Sequence, residues 1–400
     1  MDRIMKYIFA IIVLCFCGVY SFSQTSIKYS KHKNIFFYSQ LSLRGGGQLD
    51  LNAPSPALSF SSAAKGQRTR IMNQLFFRSK KTLQRGYIRK LGLRNGCFAF
   101  SLDYDPFYYG TNGNGSLQLR LMDSWLGFGT KKSRRNFWVG NRRVEYGRSH
   151  RIEAETSFMN RNSLRVRDFG FWWDLGVVYR SPLIKDVENR WDISVQLSSG
   201  GWLFNGNGSQ GTLWFMGIDR NRDSSNFMNI YGTDLSYKNT FLAIANIGRP
   251  TYSVKEWNFF GVIGNIRDQY NLDSTVMVSR LGAEYIFKKK ESLKLGNQLS
   301  IGNSFYQDGK SFFAVNVNNT FDYSFLDHYV FSVCQYFGLY QGMNTTERFV
   351  DYSIVSSLAY VFNPNLKVRL NFFYDNEDHW NNRQHVGTYI QLIAGIGRRL

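Results

Sequence analysis

The chain has 400 residues, of which 49 are Lys or Arg and 29 are Asp or Glu, for a formal net charge of +20; aromatics make up 17% while mean hydropathy is -0.32. A soluble globule that rich in aromatics would carry long apolar core runs, and none follows the first two dozen residues. Four cysteines, two of them near the start, exclude a disulfide framework.

Arg3 and Lys6 precede an apolar run from Ile8 to Gly18 that gives way to Ser21-Phe22-Ser23. A basic start, a short apolar centre and a small-residue end define a secretory signal, and the run is too short to cross a bilayer as a helix. Residues 1–23 are therefore expected to be cleaved, leaving 24–400 as one domain. Cys15 and Cys17 do not read as lipidation sites, because bulky Leu14 and Phe16 precede them. Export also argues against nucleic acid as the counterpart of the positive charge. Anionic solutes or lipid phosphates fit better.

Period-two alternation then runs through the chain. It appears in Phe98, Phe100, Leu102 and Tyr104, and again in Trp191, Ile193, Val195 and Leu197. It is clearest from Leu293 onward, where Leu295, Leu299, Ile301 and Phe305 alternate with Lys294, Gly296, Gln298, Ser300 and Ser304, and only Asn297 and Asn303 interrupt the apolar side. Phe313, Val315, Val317 and Phe321 continue it against Asn316, Asn318, Thr320 and Asp322. Leu366, Val368, Leu370 and Phe372 follow against Lys367, Arg369 and Asn371. A period of 2 excludes helices, and cations on the polar face exclude a buried sandwich core. Such strands have one face toward lipid and the other toward a watery lumen.

The expected fold is all-β: a transmembrane antiparallel up-and-down barrel of about 18 strands, with 16 as the alternative, since bacterial single-chain barrels have even numbers. Nineteen segments can be marked, beginning near Ile35, Ile71, Tyr87, Cys97, Leu117, Phe137, Phe169, Trp191, Gly211, Asn226, Thr240, Glu256, Met277, Leu293, Phe312, Tyr329, Asp351, Leu366 and Val386. Those at Ile35 and Asn226 are the least secure. All six prolines fall between segments, as do Asn95-Gly96 and Asp308-Gly309. Gly45-Gly46-Gly47 lacks the Lys and helix of a phosphate loop and reads as a strand end. Turns near Pro364, Phe325 to His328 and Lys288 to Glu291 are short and share one side; connections near Gln341 to Phe349 and Asn376 to His385 are longer. Short turns are periplasmic, which places the C-terminus in the periplasm of a Gram-negative outer membrane.

The same parity makes Val144 to Asp168 a long external connection. It holds Arg148, Arg151, Arg161, Arg165 and Arg167, with Arg142 and Arg143 just before it, against Glu145, Glu153, Glu155 and Asp168. Folded into the lumen, these arginines would narrow the passage and favour anions, together with Lys294, Lys367 and Arg369. Left outside, they would face lipopolysaccharide phosphate. Both readings stand at this point.

Alternation, leader and final strand (Thr388 to Ile396) together resemble general outer-membrane porins, although Arg398-Arg399-Leu400 replaces the usual terminal aromatic. Trp138-Val139-Gly140-Asn141-Arg142-Arg143 and Phe169-Gly170-Phe171-Trp172-Trp173-Asp174 resemble one region of maltoporin-type sugar porins, which would imply sugar passage over stacked aromatics. The resemblance implies passive diffusion of small hydrophilic solutes, anionic or sugar, and allows a homotrimer. A plugged structural or export-associated barrel that binds a partner protein is the alternative. A barrel-embedded lipid hydrolase ranks third. Of five histidines only His379 and His385 cluster, beside Asp378, with no nucleophile or metal-ligand spacing, so no catalysis, cofactor or metal is expected. The nine tryptophans are assigned mainly to girdles at the membrane interfaces.

Overall fold

The structure, a computed structural model, describes residues 33–52, 58–59, 68–79, 95–109, 115–129, 136–147, 173–184, 191–200, 215–219, 229–231, 240–248, 255–268, 274–289, 292–326, 328–363, 366–377 and 383–397. The leader, the segment near Tyr87 and the His379 cluster lie outside these. Among the described residues the first strands are β1 (Lys33–Asp50), β2 (Leu58–Ser59), β3 (Arg68–Ser79), β4 (Asn95–Tyr109), β5 (Gly115–Gly129) and β6 (Asn136–Arg143). Next come β7 (Trp173–Pro182), β8 (Asp192–Ser198), β9 (Phe215–Asp219), β10 (Asn229–Tyr231), β11 (Phe241–Gly248), β12 (Lys255–Arg267) and β13 (Thr275–Lys289). The last are β14 (Leu293–Tyr306), β15 (Ser311–Phe325), β16 (Tyr329–Gly342), β17 (Arg348–Asn363), β18 (Leu366–Glu377) and β19 (Arg383–Gly397).

All pairings are antiparallel. β1 pairs with β3, each strand then pairs with the next as far as β8, and β8 passes to β11. From β11 the order is sequential to β19, which pairs back onto β1 from Tyr38↔Gly397 to Asp50↔His385. Leaving aside β2, β9 and β10, this succession uses sixteen of the nineteen strands. β2 touches only one end of β1, and β9 carries β10 while pairing with part of β5. The segment marked near Ile35 is therefore secured by partners on both sides, whereas the one near Asn226 is the three-residue β10.

The faces are inverted relative to a soluble protein, as a lipid-facing wall requires. On the outer face Leu281 is 67% exposed and Ile390 59%, while inward-facing Ser300, Asn316, Asp351 and Asp375 are at 0%. Several details depart from the sequence reading. Pro106 lies inside β4, where the pairing register shifts between Asp105 and Tyr108, Pro182 is the last residue of β7, and Asn95-Gly96 open β4 rather than preceding it. Gly45, Gly46 and Gly47 lie inside β1 rather than at its end, opposite Ile390, Tyr389 and Thr388; a ladder needs only backbone groups, which glycine supplies. β7 begins at Trp173 rather than near Phe169.

Turns differ between the two ends of the wall. β17 and β18 are joined across residues 364–365 and β15 to β16 across 326–328, whereas β16 to β17 takes 343–347 and β18 to β19 takes 378–382. Between β14 and β15, Gly309 adopts φ +85 and donates its N–H to the Tyr306 carbonyl at 3.1 Å. The Asp308 carboxylate accepts from the Lys310 N–H at 3.0 Å, so this turn has the chemistry its residues announce. Aromatic contacts gather at the short-turn end. Phe325 stacks on Tyr329 with centroids 5.6 Å apart, Tyr360 meets Phe362 at 4.7 Å and Trp257 meets Tyr285 at 4.6 Å. A belt of rings is what a membrane interface favours.

Candidate functional site

The inner wall has two kinds of surface. Along β14 to β19 many buried inward positions are polar, including Gln298, Asn316, Asp322, Asp351, Arg369 and Gln391, with small apolar clusters of Val355, Phe373 and Tyr389 and of Phe312, Ala314 and Tyr340 between them. Along β11 to β13 they are largely apolar. Leu242, Ile244, Phe260, Val262, Ile266, Val276 and Val278 form one buried cluster, although the outward positions of the same strands, such as Phe241, Ile263 and Met277, are also apolar. Water would not cover such a surface without a large cost, and protein covers it here.

Part of the cover is the chain that leaves β6. Val144 and Tyr146 belong to the same apolar cluster, and Tyr146 meets the Phe260 ring edge-on at 4.9 Å. Phe260 reaches this position because Gly282, opposite it on β13, has no side chain; a Cβ there would collide with the Phe260 ring. Polar contacts extend the seam across neighbouring strands. The Arg180 guanidinium on β7 donates to both carboxylate oxygens of Glu145, at 3.1 and 3.2 Å, and lies 5.6 Å from the centroid of the Trp138 ring. The Gln196 Oε1 on β8 accepts from the Glu145 N–H at 2.7 Å, and the Asn246 Nδ2 on β11 donates to the Glu145 carbonyl at 2.8 Å. On β14 the Gln298 Nε2 donates to the Tyr146 carbonyl at 3.3 Å.

Gly147 ends the described part of this segment with φ +67, a backbone state that a side chain strains. A Cβ there would also meet the Gln298 amide and stand 3.0 Å from the Glu284 carboxylate. Residues 144–147 thus run across inward-facing side chains of β7, β8 and β11 to β14. Phe260, Glu284 and Gln298 sit well inside β12, β13 and β14, so on that side the crossing is at mid-depth rather than at the rim. An ion pair with so little exposure, flanked by amide hydrogen bonds, fixes where the segment lies, because moving either partner away would leave the other charge poorly solvated and uncompensated.

Among the cations singled out above, Arg142 and Arg143 stand opposite Asp174 and Trp173 at the end of β6. Arg148, Arg151, Arg161, Arg165 and Arg167 lie outside the described residues. Lys294 is half-buried on β14, opposite Asp322. Arg369 is buried on the inner face of β18, opposite Gln391, and Lys367 shares its parity. The hydrogen bonds and ion pair that define the 144–147 seam above come from Arg180, Gln196, Asn246 and Gln298 instead. Buried carboxylates on the wall were not foreseen as a group: among the described residues of β12 to β18, Glu256, Glu284, Asp322, Asp351 and Asp375 outnumber the buried cations Arg280 and Arg369. Glu256 is paired with Lys288 at 3.5 Å, and Arg280 Nη2 donates to the Ser304 hydroxyl at 2.7 Å. Arg180 and Trp138, which position Glu145, were also missed as a unit. Their adjacency arises from β6–β7 pairing rather than from spacing in sequence.

This fold is that of the outer-membrane β-barrel porins. Among solved structures the chain is similar to the outer-membrane expressed OmpT of Vibrio cholerae, at 10% identity over 92% of this chain and 99% of that one with a TM-score of 0.56. It is also similar to Salmonella typhi OmpF, solved as a complex with daunomycin, at 10% identity over 92% and 99% with a TM-score of 0.57. An anion-selective porin from Comamonas acidovorans matches at 8% identity over 91% and 100% with a TM-score of 0.51. No model of a known protein family matches the sequence, and no curated protein does.

Proposed function

We propose that this chain is an outer-membrane channel through which small hydrophilic solutes diffuse, narrowed by the segment that follows β6. The carrying observation is the mid-depth seam in which Glu145 and Tyr146 are tied to inward side chains of β7, β8, β11, β12 and β14. Residues 1–23 are the export signal in this reading. The turn-length difference supports a periplasmic C-terminus, and the continuous antiparallel pairing supports sixteen transmembrane strands, the smaller of the two numbers considered from sequence. Outward aromatics and leucines face lipid, and exposed cations meet lipopolysaccharide phosphate.

Anion preference is inferred from the net charge of +20, from Arg142 and Arg143 at the end of β6, just before the 144–147 seam, and from Arg148, Arg151, Arg161, Arg165 and Arg167, which follow that seam in the sequence. These must outweigh the buried wall carboxylates, because selectivity follows the field at the narrowest point. A sugar path over Trp138, Trp172 and Trp173 is the finer variant of the same reading. In this reading the barrel performs no catalysis. Self-association as a homotrimer is part of the proposal, an OmpT of Vibrio cholerae having been solved in a trimer form.

A second reading, a plugged barrel that binds a partner protein, is favoured by the apolar inner cluster and by the near-zero exposure of inward residues on β14 to β19. Planar-bilayer recordings separate the two. The channel reading expects ohmic single-channel steps, a reversal potential of anionic sign under a KCl gradient, and larger steps in Glu145→Ala. An electrically silent protein that copurifies with a stoichiometric partner would replace it with the plug.

A further inference from the structure

Two lysines face each other across the hairpin of β13 and β14. Lys288 and Lys294 are a directly opposed pair, one rung before Lys289 meets Leu293 and the chain turns. Both have the inward parity of their strands, shared with Arg280 and Glu284 on β13 and with Gln298 and Ser300 on β14. Directly opposed side chains on one face of a sheet have Cβ atoms about 4.5–5.5 Å apart, and like charges placed there destabilise the pairing. Nothing in the ladder itself calls for this pair.

The carboxylates beside the pair do not cancel it. On β12 the Glu256 carboxylate lies 3.5 Å from the Lys288 ammonium, and the Glu256 side chain is 1% exposed against 26% for Lys288. On β15 Asp322 stands opposite Lys294 in register and is buried. Lys294 is only half-buried, and among the described residues it makes no hydrogen bond or ion pair. The acids are thus sunk in the wall, while both lysines keep a water-facing part. Arg280, the other inward cation of β13, is committed to the wall instead, donating to the Ser279 carbonyl at 2.9 Å and to the Ser304 hydroxyl at 2.7 Å. The short turn extends the basic character in sequence, where Lys288, Lys289 and Lys290 are consecutive before Glu291.

We infer that Lys288 and Lys294 form a binding site for a dissolved phosphate group, inorganic or carried as a monoester, at the short-turn mouth of the barrel. Charge-assisted N–H···O bonds of about 2.7–2.9 Å let one oxyanion bridge ammonium groups about 5–6 Å apart. Directly opposed lysines can adopt that separation. A phosphate group carries a charge of about −1.5 to −2 at pH 7 with three strong acceptor oxygens, so it satisfies both lysines at once, which chloride does not. Both side chains belong to the lumen face, away from lipid, so the phosphate arrives in solution rather than on a lipid headgroup. Glu256 and Asp322 keep the site weak, as a solute that must leave again requires. Passage of the anion rests on the channel reading above, whereas its binding does not.

Inorganic phosphate is the probe, added to the exported protein in a phosphorus-free detergent. Wild type should broaden the phosphorus resonance of the free anion with a millimolar dissociation constant. Lys288→Gln and Lys294→Gln should each raise that constant at least fivefold while keeping a heat-modifiable band in gels. Lys310→Gln, exposed at the opposite end of β14, should leave it unchanged. In planar bilayers, phosphate on the short-turn side should reduce the chloride current, and Lys294→Gln should relieve the block. No broadening by wild type, equal broadening by folded Lys288→Gln and Lys294→Gln, or the same loss in Lys310→Gln would each overturn the proposal. So would co-purified phospholipid that only the two lysine variants lack, since the pair would then hold a headgroup. An electrically silent wild type that still broadens the resonance would end the channel reading and leave the site standing.

Discussion

The two stretches of wall, β11 to β13 and β14 to β19, are built of similar strands and paired by the same ladder, yet their inner surfaces differ in kind. On β14 to β19 outward leucines and phenylalanines alternate with inward residues among which Gln, Ser, Asn and Asp are frequent, and the apolar ones gather in two small clusters rather than one continuous surface. On β11 to β13 both faces are apolar in the half where Leu242, Ile244, Val262 and Val278 point inward. The first arrangement suits lipid outside and polar material inside. The second has no use for water on either side, and residues 144–147 cover it. A strand that does not alternate therefore marks where the barrel interior is packed with chain.

The comparison breaks most visibly at Leu242, which is 1% exposed. If its surface is dry and packed, Leu242→Ala should cost about 2–5 kcal/mol, read as a lowered denaturant midpoint in vesicles; an unchanged midpoint would mean that water already reaches it. On the outer face, Leu281→Arg near the middle of β13 should cost about 2–4 kcal/mol, since that depth is the worst for a cation facing lipid. Its check is the folded fraction recovered in bilayers, and wild-type recovery would place Leu281 away from lipid.

A smaller effect is expected at Gly147. Gly147→Ala combines a strained φ of +67 with crowding by Gln298 and Glu284 and should cost about 1–2 kcal/mol, confined to the seam. It should loosen the segment, so faster hydrogen exchange at Glu145 and Tyr146 without loss of the barrel ladder is the readout. The smallest lies on the polar wall. Ser300→Ala should change stability by less than about 0.5 kcal/mol, because its hydroxyl has no hydrogen-bond partner among the described residues. A loss of 2 kcal/mol or more in unfolding experiments would show instead that the polar wall is as tightly specified as the apolar one.

Much of this was legible beforehand because alternation is local. Whether Leu299 and Gln298 face opposite ways is settled by the geometry of adjacent residues, so chemical type alone told lipid from lumen. The apolar inner wall had a sequence signal too, in runs such as Phe241 to Ile244 and Phe259 to Ile263 where both parities are apolar. Lys294 was visible on the polar face, but its place opposite Lys288 was not.

The arginines of residues 142–167 suggested a constriction on charge, and residues 144–147, the described part of that connection, are held by one carboxylate, one backbone N–H, two backbone carbonyls and a tyrosine ring. By itself the sequence determined the fold class, the two faces of the wall and the contrast between short and longer turns, all of which follow from short-range periodicity and turn chemistry. Only the tertiary structure decided which strands meet β8, that Arg180 lies between Trp138 and Glu145, and that Glu256 and Asp322 flank the Lys288–Lys294 pair. Those depend on register and closure, which join residues far apart along the chain.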